Sequence, residues 1–390
     1  MVTTLPAADW LQRPDLALLV KTLGPGNARY VGGAVRDTLL GLAVKDVDIA
    51  TPLEPQEVMR RLKAHAITAI PTGIEHGTVT AVLKGGPVEI TTLRHDLSTD
   101  GRRATVAFAT DWQDDAARRD FTINALYADP ETRDVFDWFG GLEDLAARRL
   151  RFIGDARQRI REDHLRILRY FRFQARFGSQ PADEEAESAV SELAATLKGL
   201  SRERVGMEMM NLLGLPDPAP TVARMAELGV LAVVLPEADV AALAALVAQE
   251  QAQDVAPDAL RRLAALLPAD VPLAESVASR FRLSGAQKKR LALAAGRDGG
   301  ECDARAMAYR LGMEAALDRL LLTARPISAL RGWDVPVLPL KGGDIVARGV
   351  KAGPEVARVL RAVEARWIAA GFADAAVPAL LDAELAKGAA

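Results

Sequence analysis

The sequence predicts an α+β fold, with a sheet-bearing N-terminal part followed by an all-helical remainder, and three observations carry that expectation. Over roughly the first 145 residues, β-branched runs alternate with helical patterns, and turns are marked at Gly24-Pro25-Gly26, Gly85-Gly86-Pro87 and Gly140-Gly141. Beyond about residue 155 the texture changes to long Ala/Leu/Arg stretches of helical period, broken at Gly214 to Pro220, Leu235-Pro236, Pro268 and Gly296 to Gly300. At 390 residues the chain exceeds one compact core and calls for two to four units.

Tyr30-Val31 reads as a strand leading into a glycine pair and a helix; Val47 to Ala50, Gly77 to Leu83 and Val88 to Leu93 have the β-branched enrichment of further strands. Asp120 stands where it would cap a helix whose apolar stripe is Phe121, Ala125 and Leu126. Arg161 to Arg172 reads as one helix, in which Asp163 and Arg166 are neighbours. Steps of three then carry Arg169 and Arg172 progressively around the surface, spreading positive charge.

No uninterrupted apolar run is long enough for a membrane span, and Met1 to Trp10 lacks a basic region followed by an apolar stretch, so a cytoplasmic protein is expected. The single cysteine, Cys302, rules out an internal disulfide and a cysteine cluster for zinc, and is read as structural. The net charge of −3 hides a segregation: residues 148–178 carry 10 basic and 3 acidic side chains, against 15 and 21 before them and 24 and 28 after. One short stretch thus concentrates arginines, as a grip on phosphates needs.

Four motifs carry possible chemistry. Gly32-Gly33-Ala34-Val35-Arg36-Asp37 lies where a strand gives way to a helix; glycines there let backbone amides approach a phosphate, and Arg36 reaches the same oxygens. Asp46-Val47-Asp48-Ile49 puts two carboxylates on one face of a strand, and an all-oxygen donor set favours Mg²⁺ or Mn²⁺ over zinc. Glu89 would be a third carboxylate beside them, helping to position or deprotonate an attacking hydroxyl. Arg118-Arg119 precedes Asp120-Phe121-Thr122-Ile123-Asn124-Ala125 and would neutralise a triphosphate. The fourth is Glu162-Asp163 with Arg166, Arg169 and Arg172 at three-residue spacing.

In that order the four motifs resemble the class II tRNA nucleotidyltransferase and bacterial poly(A) polymerase family over roughly residues 28–178; Ser201 to Arg204 and Pro339 to Pro354 resemble later family segments more loosely. The resemblance implies a DNA polymerase β-like head with a small mixed or antiparallel sheet at 1–150. A helical neck at 151–215 bearing the base-recognition helix, a helical body at 216–300 and a tRNA-binding helical tail at 301–390 would follow. It implies that Asp46 and Asp48 bind Mg²⁺, two ions during catalysis, that Gly32, Gly33, Arg36 and Arg119 contact the nucleotide, and that Asp163 and Arg166 read the base, with Arg169 and Arg172 close by. Cytosine and adenine both present an amino donor beside a ring-nitrogen acceptor, and a carboxylate next to a guanidinium matches that edge while leaving uracil and guanine unpaired. The substrates implied are tRNA, CTP and ATP.

Within the family, Pro71 to Val79 resembles the CCA-adding version rather than the basic-basic-Phe element of poly(A) polymerases. The polar stretch from Arg94-His95-Asp96 to Arg103 resembles the flexible loop that CC-adding enzymes lack. Histidines stand only at His65, His76, His95 and His164, too few and too early for a C-terminal His-Asp phosphohydrolase. Poly(A) addition, CC or A addition alone, and a catalytically silent RNA-binding scaffold remain the alternatives.

Overall fold

Strand-forming residues at Arg29–Val31 (β1) and Val47–Thr51 (β2) flank a short helix, Gly33–Leu39, and the sheet grows outward from this antiparallel pair. The computed structural model describes residues 3–99, 104–109, 111–297 and 303–388. It divides into two compact units, Met1–Ala238 and Asp239–Ala390.

In the first unit the remaining strands are β3 (Thr68–Gly73), β4 (Thr78–Leu83), β5 (Gly86–Thr92), β6 (Arg94–Thr99), β7 (Ala104–Phe108), β8 (Tyr127–Ala128) and β9 (Val135–Phe136). Seven of the described strands form one sheet in the order β3-β4-β5-β2-β1-β8-β9, and β6 pairs only with β7. The β2–β5 pair is parallel and the other neighbours are antiparallel, so the sheet is mixed, as expected. Alternation places Val47 and Ile49 of β2 and Val88 and Ile90 of β5 in the interior, which turns Asp48 and Glu89 to the other face. Because the two strands run parallel in register, Asp48 and Glu89 are direct neighbours.

Three local expectations are corrected. The polar stretch after β5 was expected to be a flexible loop, yet its described parts pair as a hairpin with Arg94 opposite Phe108; residues 100–103 lie outside the described residues. Phe121 to Leu126 is not a capped helix but a single 3₁₀ turn, Thr122–Asn124, because the Asp120 carboxylate turns inward instead of capping. Arg161 to Arg172 is not one helix. A helix Ala156–Glu162 ends at Asp163, whose backbone is extended, and a second helix, Arg166–Phe177, starts afresh. Asp163 and Arg166 flank that break.

The Arg166–Phe177 helix buries Ile167, Leu168, Tyr170, Phe171, Phe173 and Phe177 and leaves its arginines on the other side. Beyond Phe136 every described regular element is helical, as predicted. No helix among the described residues is long and apolar enough to cross a membrane. In the second unit two apolar clusters are centred on Leu320 and on Trp367. Beside the first, a buried ion group joins Arg261 to Glu250 and Asp318, Arg262 to Glu250, and Arg290 to Asp318. Cys302 lies outside the described residues.

Candidate active site

The first unit contains a cavity of about 500 Å³ lined by Gly32, Gly33, Arg36, Asp37, Val44, Lys45, Asp46, Asp48, Arg119, Asp120, Asn124, Arg169, Arg172, Phe173 and Arg176. Residues from the glycine turn, β2, the Arg119 segment and the Arg166–Phe177 helix thus meet, though they are spread over more than a hundred positions. Gly32 turns the chain from β1 into the helix with φ 67° and ψ −120°, a conformation that side-chain-bearing residues avoid. Its amide donates to the Leu126 carbonyl, locking the turn against the Arg119 segment. Gly32→Ala is expected to destabilise the fold by about 1–3 kcal/mol, measured by urea unfolding, whereas Gly33, in ordinary helical geometry, has room for a methyl group.

Among the described residues, no hydrogen bond or ion pair engages the carboxylates of Asp46, Asp48 or Glu89. Burial, together with Glu89 and Asp46 nearby, pushes the Asp48 carboxyl up to about 6, against the pull of Arg119. Asp46 and Asp48 line the cavity; Glu89 is beside Asp48 in the sheet but is not part of the lining.

The cationic side is tightly organised. Asp115, 1% exposed, holds both Arg118 and Arg119, and the Tyr127 hydroxyl donates to the same carboxylate at 2.5 Å. Arg119 Nε donates to that hydroxyl, which leaves its Nη1 directed past Gly32. Arg36 is buried and largely engaged: it donates to Asp37 and to Asn124 Oδ1, and its guanidinium lies 4.1 Å from the Phe177 ring centre. Phe173 stands among Arg36, Arg169 and Arg172, with each guanidinium within 5.4 Å of its ring centre, and so spaces the three cations apart.

Asp120 is the residue that sequence reasoning undervalued. Its Oδ1 accepts from the Phe121 amide and from Asn124, and its Oδ2 accepts from Arg169. Burial pushes this carboxyl up, but Arg169, Asn124 and Arg166 outweigh it and hold it at about 2. A carboxyl held below its ordinary value contributes stability above about pH 4, and that contribution is lost as pH falls through about 2. Asp120→Asn should therefore cost about 3–5 kcal/mol at pH 7. The variant's stability should also change less than the parent's between about pH 4 and pH 2, as urea unfolding would show.

The expected base-reading residues lie at the edge of this network, not in the cavity lining. Arg166 donates through Nη1 to Glu162 and to the Arg159 carbonyl, and through Nη2 to the carbonyl of Arg118, the neighbour of Arg119. Asp163 does not pair with Arg166; its Oδ2 accepts from Arg204 at 2.7 Å and its Oδ1 from the Leu165 amide. Arg172 is held by Glu208 through Nε and Nη2.

Residues 28–151 match a family described as the poly A polymerase head domain, and residues 182–241 match one described as the probable RNA and SrmB-binding site of polymerase A. The mitochondrial CCA tRNA nucleotidyltransferase 1 of Homo sapiens is 47% identical over 188 residues, which are 47% of this chain and 43% of that protein. The CCA-adding enzyme of Geobacillus stearothermophilus is 42% identical over 205 residues, 52% of this chain and 49% of that protein. The matching stretch thus spans less than half the length of either relative. The crystal structure of the Bacillus stearothermophilus CCA-adding enzyme in complex with CTP covers 98% of this chain and 99% of its own, with a TM-score of 0.73 and 27% identity. Residues 28–151 of this chain thus carry the head domain of the poly A polymerase family.

Nucleotidyltransferase-family enzymes generally use a divalent metal ion, and the residues present fit one. Asp46 and Asp48 offer oxygen donors that no hydrogen bond or ion pair engages among the described residues, and Asp48 resists ionisation chiefly because it is buried, with Glu89 and Asp46 adding to the effect and Arg119 opposing it. Among the described residues, no group of three or more His, Cys, Asp or Glu side chains is placed to hold a metal ion, so the aspartate pair is the donor set on offer.

Proposed function

We propose that this chain adds C, C and A to the 3′ end of tRNA from CTP and ATP without a nucleic-acid template, releasing pyrophosphate. The observation that supports this most is the cavity itself, which Asp46 and Asp48 line together with the Gly32-Gly33 turn and Arg169, Arg172 and Arg176 of the Arg166–Phe177 helix. Asp46 and Asp48 would hold Mg²⁺, with Mn²⁺ the other fitting ion and Glu89 as an outlying third carboxylate. Two such ions, when bound, supply a more acidic 3′-hydroxyl and charge stabilisation at the leaving oxygen.

The chain's own residues do the rest. Arg119, aimed by Asp115 and Tyr127, and Arg172, with Nη1 unspent, are donors for the triphosphate, alongside Gly32 and Gly33. Arg36 and Arg169, mostly engaged by Asp37, Asn124 and Asp120, shape the cavity and its charge. Arg166 uses three of its five N–H groups on the protein, which leaves Nε–H and one Nη2–H for a ring-nitrogen acceptor. Asp163 keeps free lone pairs for the adjacent amino donor.

Sequencing the 3′ ends made from a tRNA lacking its terminal CCA, with all four nucleotides and Mg²⁺ supplied, tests this reading. Products ending in CCA support it; CC ends or an A tail would move the chain to its CC-adding or poly(A)-adding relatives. No incorporation would leave a silent RNA-binding scaffold.

A further inference from the structure

Arg204 lies outside the motifs that carry the assignment of the site, on the helix Arg202–Leu213, yet it reaches the centre of the proposed base-reading pair. Its Nη2 meets Asp163 Oδ2 at 2.7 Å, the one ion pair of either residue among the described residues, and the two side chains are 30% and 27% exposed. One turn along the same helix, Glu208 is buried and grips Arg172 through both oxygens, with Arg169 Nη1 3.7 Å away. Residues four apart share a helix face, so one rigid element holds Asp163 before the Arg166–Phe177 helix and Arg172 within it. Arg166, between those two points, is held from elsewhere: by Glu162 and by the carbonyls of Arg159 and Arg118.

We infer that Arg204 is a positioning residue for base selection, which sets the direction of the Asp163 carboxylate. The inference rests on the proposed reading of Asp163 and Arg166. Asp163 stands in the extended link between two helices, where its carbonyl accepts from the Arg166 amide but its side chain takes its direction only from the Leu165 amide and Arg204. The Leu165 amide occupies Oδ1, and Arg204 occupies one side of Oδ2; what remains is a directed set of lone pairs instead of a rotating carboxylate. A rotated Asp163 would leave the amino group of cytosine or adenine without its acceptor and so erase the advantage of those bases over uracil and guanine.

The experiment compares single-turnover incorporation of CTP and UTP by the parent, Arg204→Met, Arg204→Lys, Asp163→Ala and the double variant, with circular dichroism melting of each. For Arg204→Met, the preference for CTP over UTP should fall roughly 10- to 100-fold, the scale of an ångström-sized misplacement. The melting temperature should stay within a few degrees, since Glu208 still docks the helix. Arg204→Lys should restore part of the preference, and the double variant should be no less selective than Asp163→Ala alone, as coupled positions require. Equal slowing of CTP and UTP would make Arg204 merely structural and overturn the inference. So would unchanged preference in Arg204→Met alongside lost preference in Asp163→Ala, which leaves the base-reading pair standing. Unchanged preference in Asp163→Ala would remove the base-reading proposal itself.

Discussion

Asp48→Ala is expected to lower nucleotide incorporation by about a thousandfold or more while tRNA affinity, measured by filter binding, stays within about twofold of the parent. The loss would follow from removing one proposed metal ligand: the charge stabilisation at stake is several kcal/mol, and each 1.36 kcal/mol is a factor of ten. The fold should not suffer. Asp48 contributes no hydrogen bond or ion pair among the described residues, and its carboxyl is held up at about 6 by burial and by Glu89, so its removal relieves a repulsion. Stability equal to or above the parent's, together with inactivity, is therefore the expected pair of results. Retained incorporation in the presence of Mg²⁺ would rule Asp48 out as a ligand.

The second large effect concerns choice, not rate. Asp163→Ala should reduce discrimination against UTP and GTP roughly 10- to 100-fold, the effect of leaving one buried polar group unmatched. Incorporation of CTP should fall less than that of an active-site carboxylate variant, because Asp46 and Asp48 are untouched. Competition between labelled CTP and UTP reads the ratio directly, and an unchanged ratio would dismiss the carboxylate as a base reader.

Much of this site was legible before any coordinates. Gly32, Gly33, Arg36, Asp46, Asp48 and Arg119 were singled out from local pattern and Arg169 and Arg172 through the family resemblance, and all eight line one cavity, whereas Glu89, Asp163 and Arg166 do not. What local pattern could not convey were partners distant in sequence. Asp120 looked like a cap because a carboxylate before an apolar stripe usually caps; its real partner, Arg169, is 49 positions away. The break at Asp163 carries neither glycine nor proline, so periodicity ran straight through it. Phe173 resembled any core aromatic, and only the folded helix reveals that its ring separates three guanidiniums. Strand β3 is mostly exposed, so it lacks the buried alternation by which β4 and β5 were found.

The pairing of β5 alongside β2 makes the site sensitive to parity. Glu89 stands next to Asp48 only because an unbroken count of residues leads from the Lys84-Gly85 turn into β5, a turn whose Gly85 amide is clasped by the Asp15 carboxylate at 2.6 Å. An insertion of one residue there, if taken up by slippage, would present Val88 or Ile90 to the Asp48 side and sink the glutamate into the core. Two inserted residues would return an outward-facing side chain to that row. Odd and even changes in a surface turn, far from any chemistry, would thus have opposite consequences for whether the third carboxylate exists.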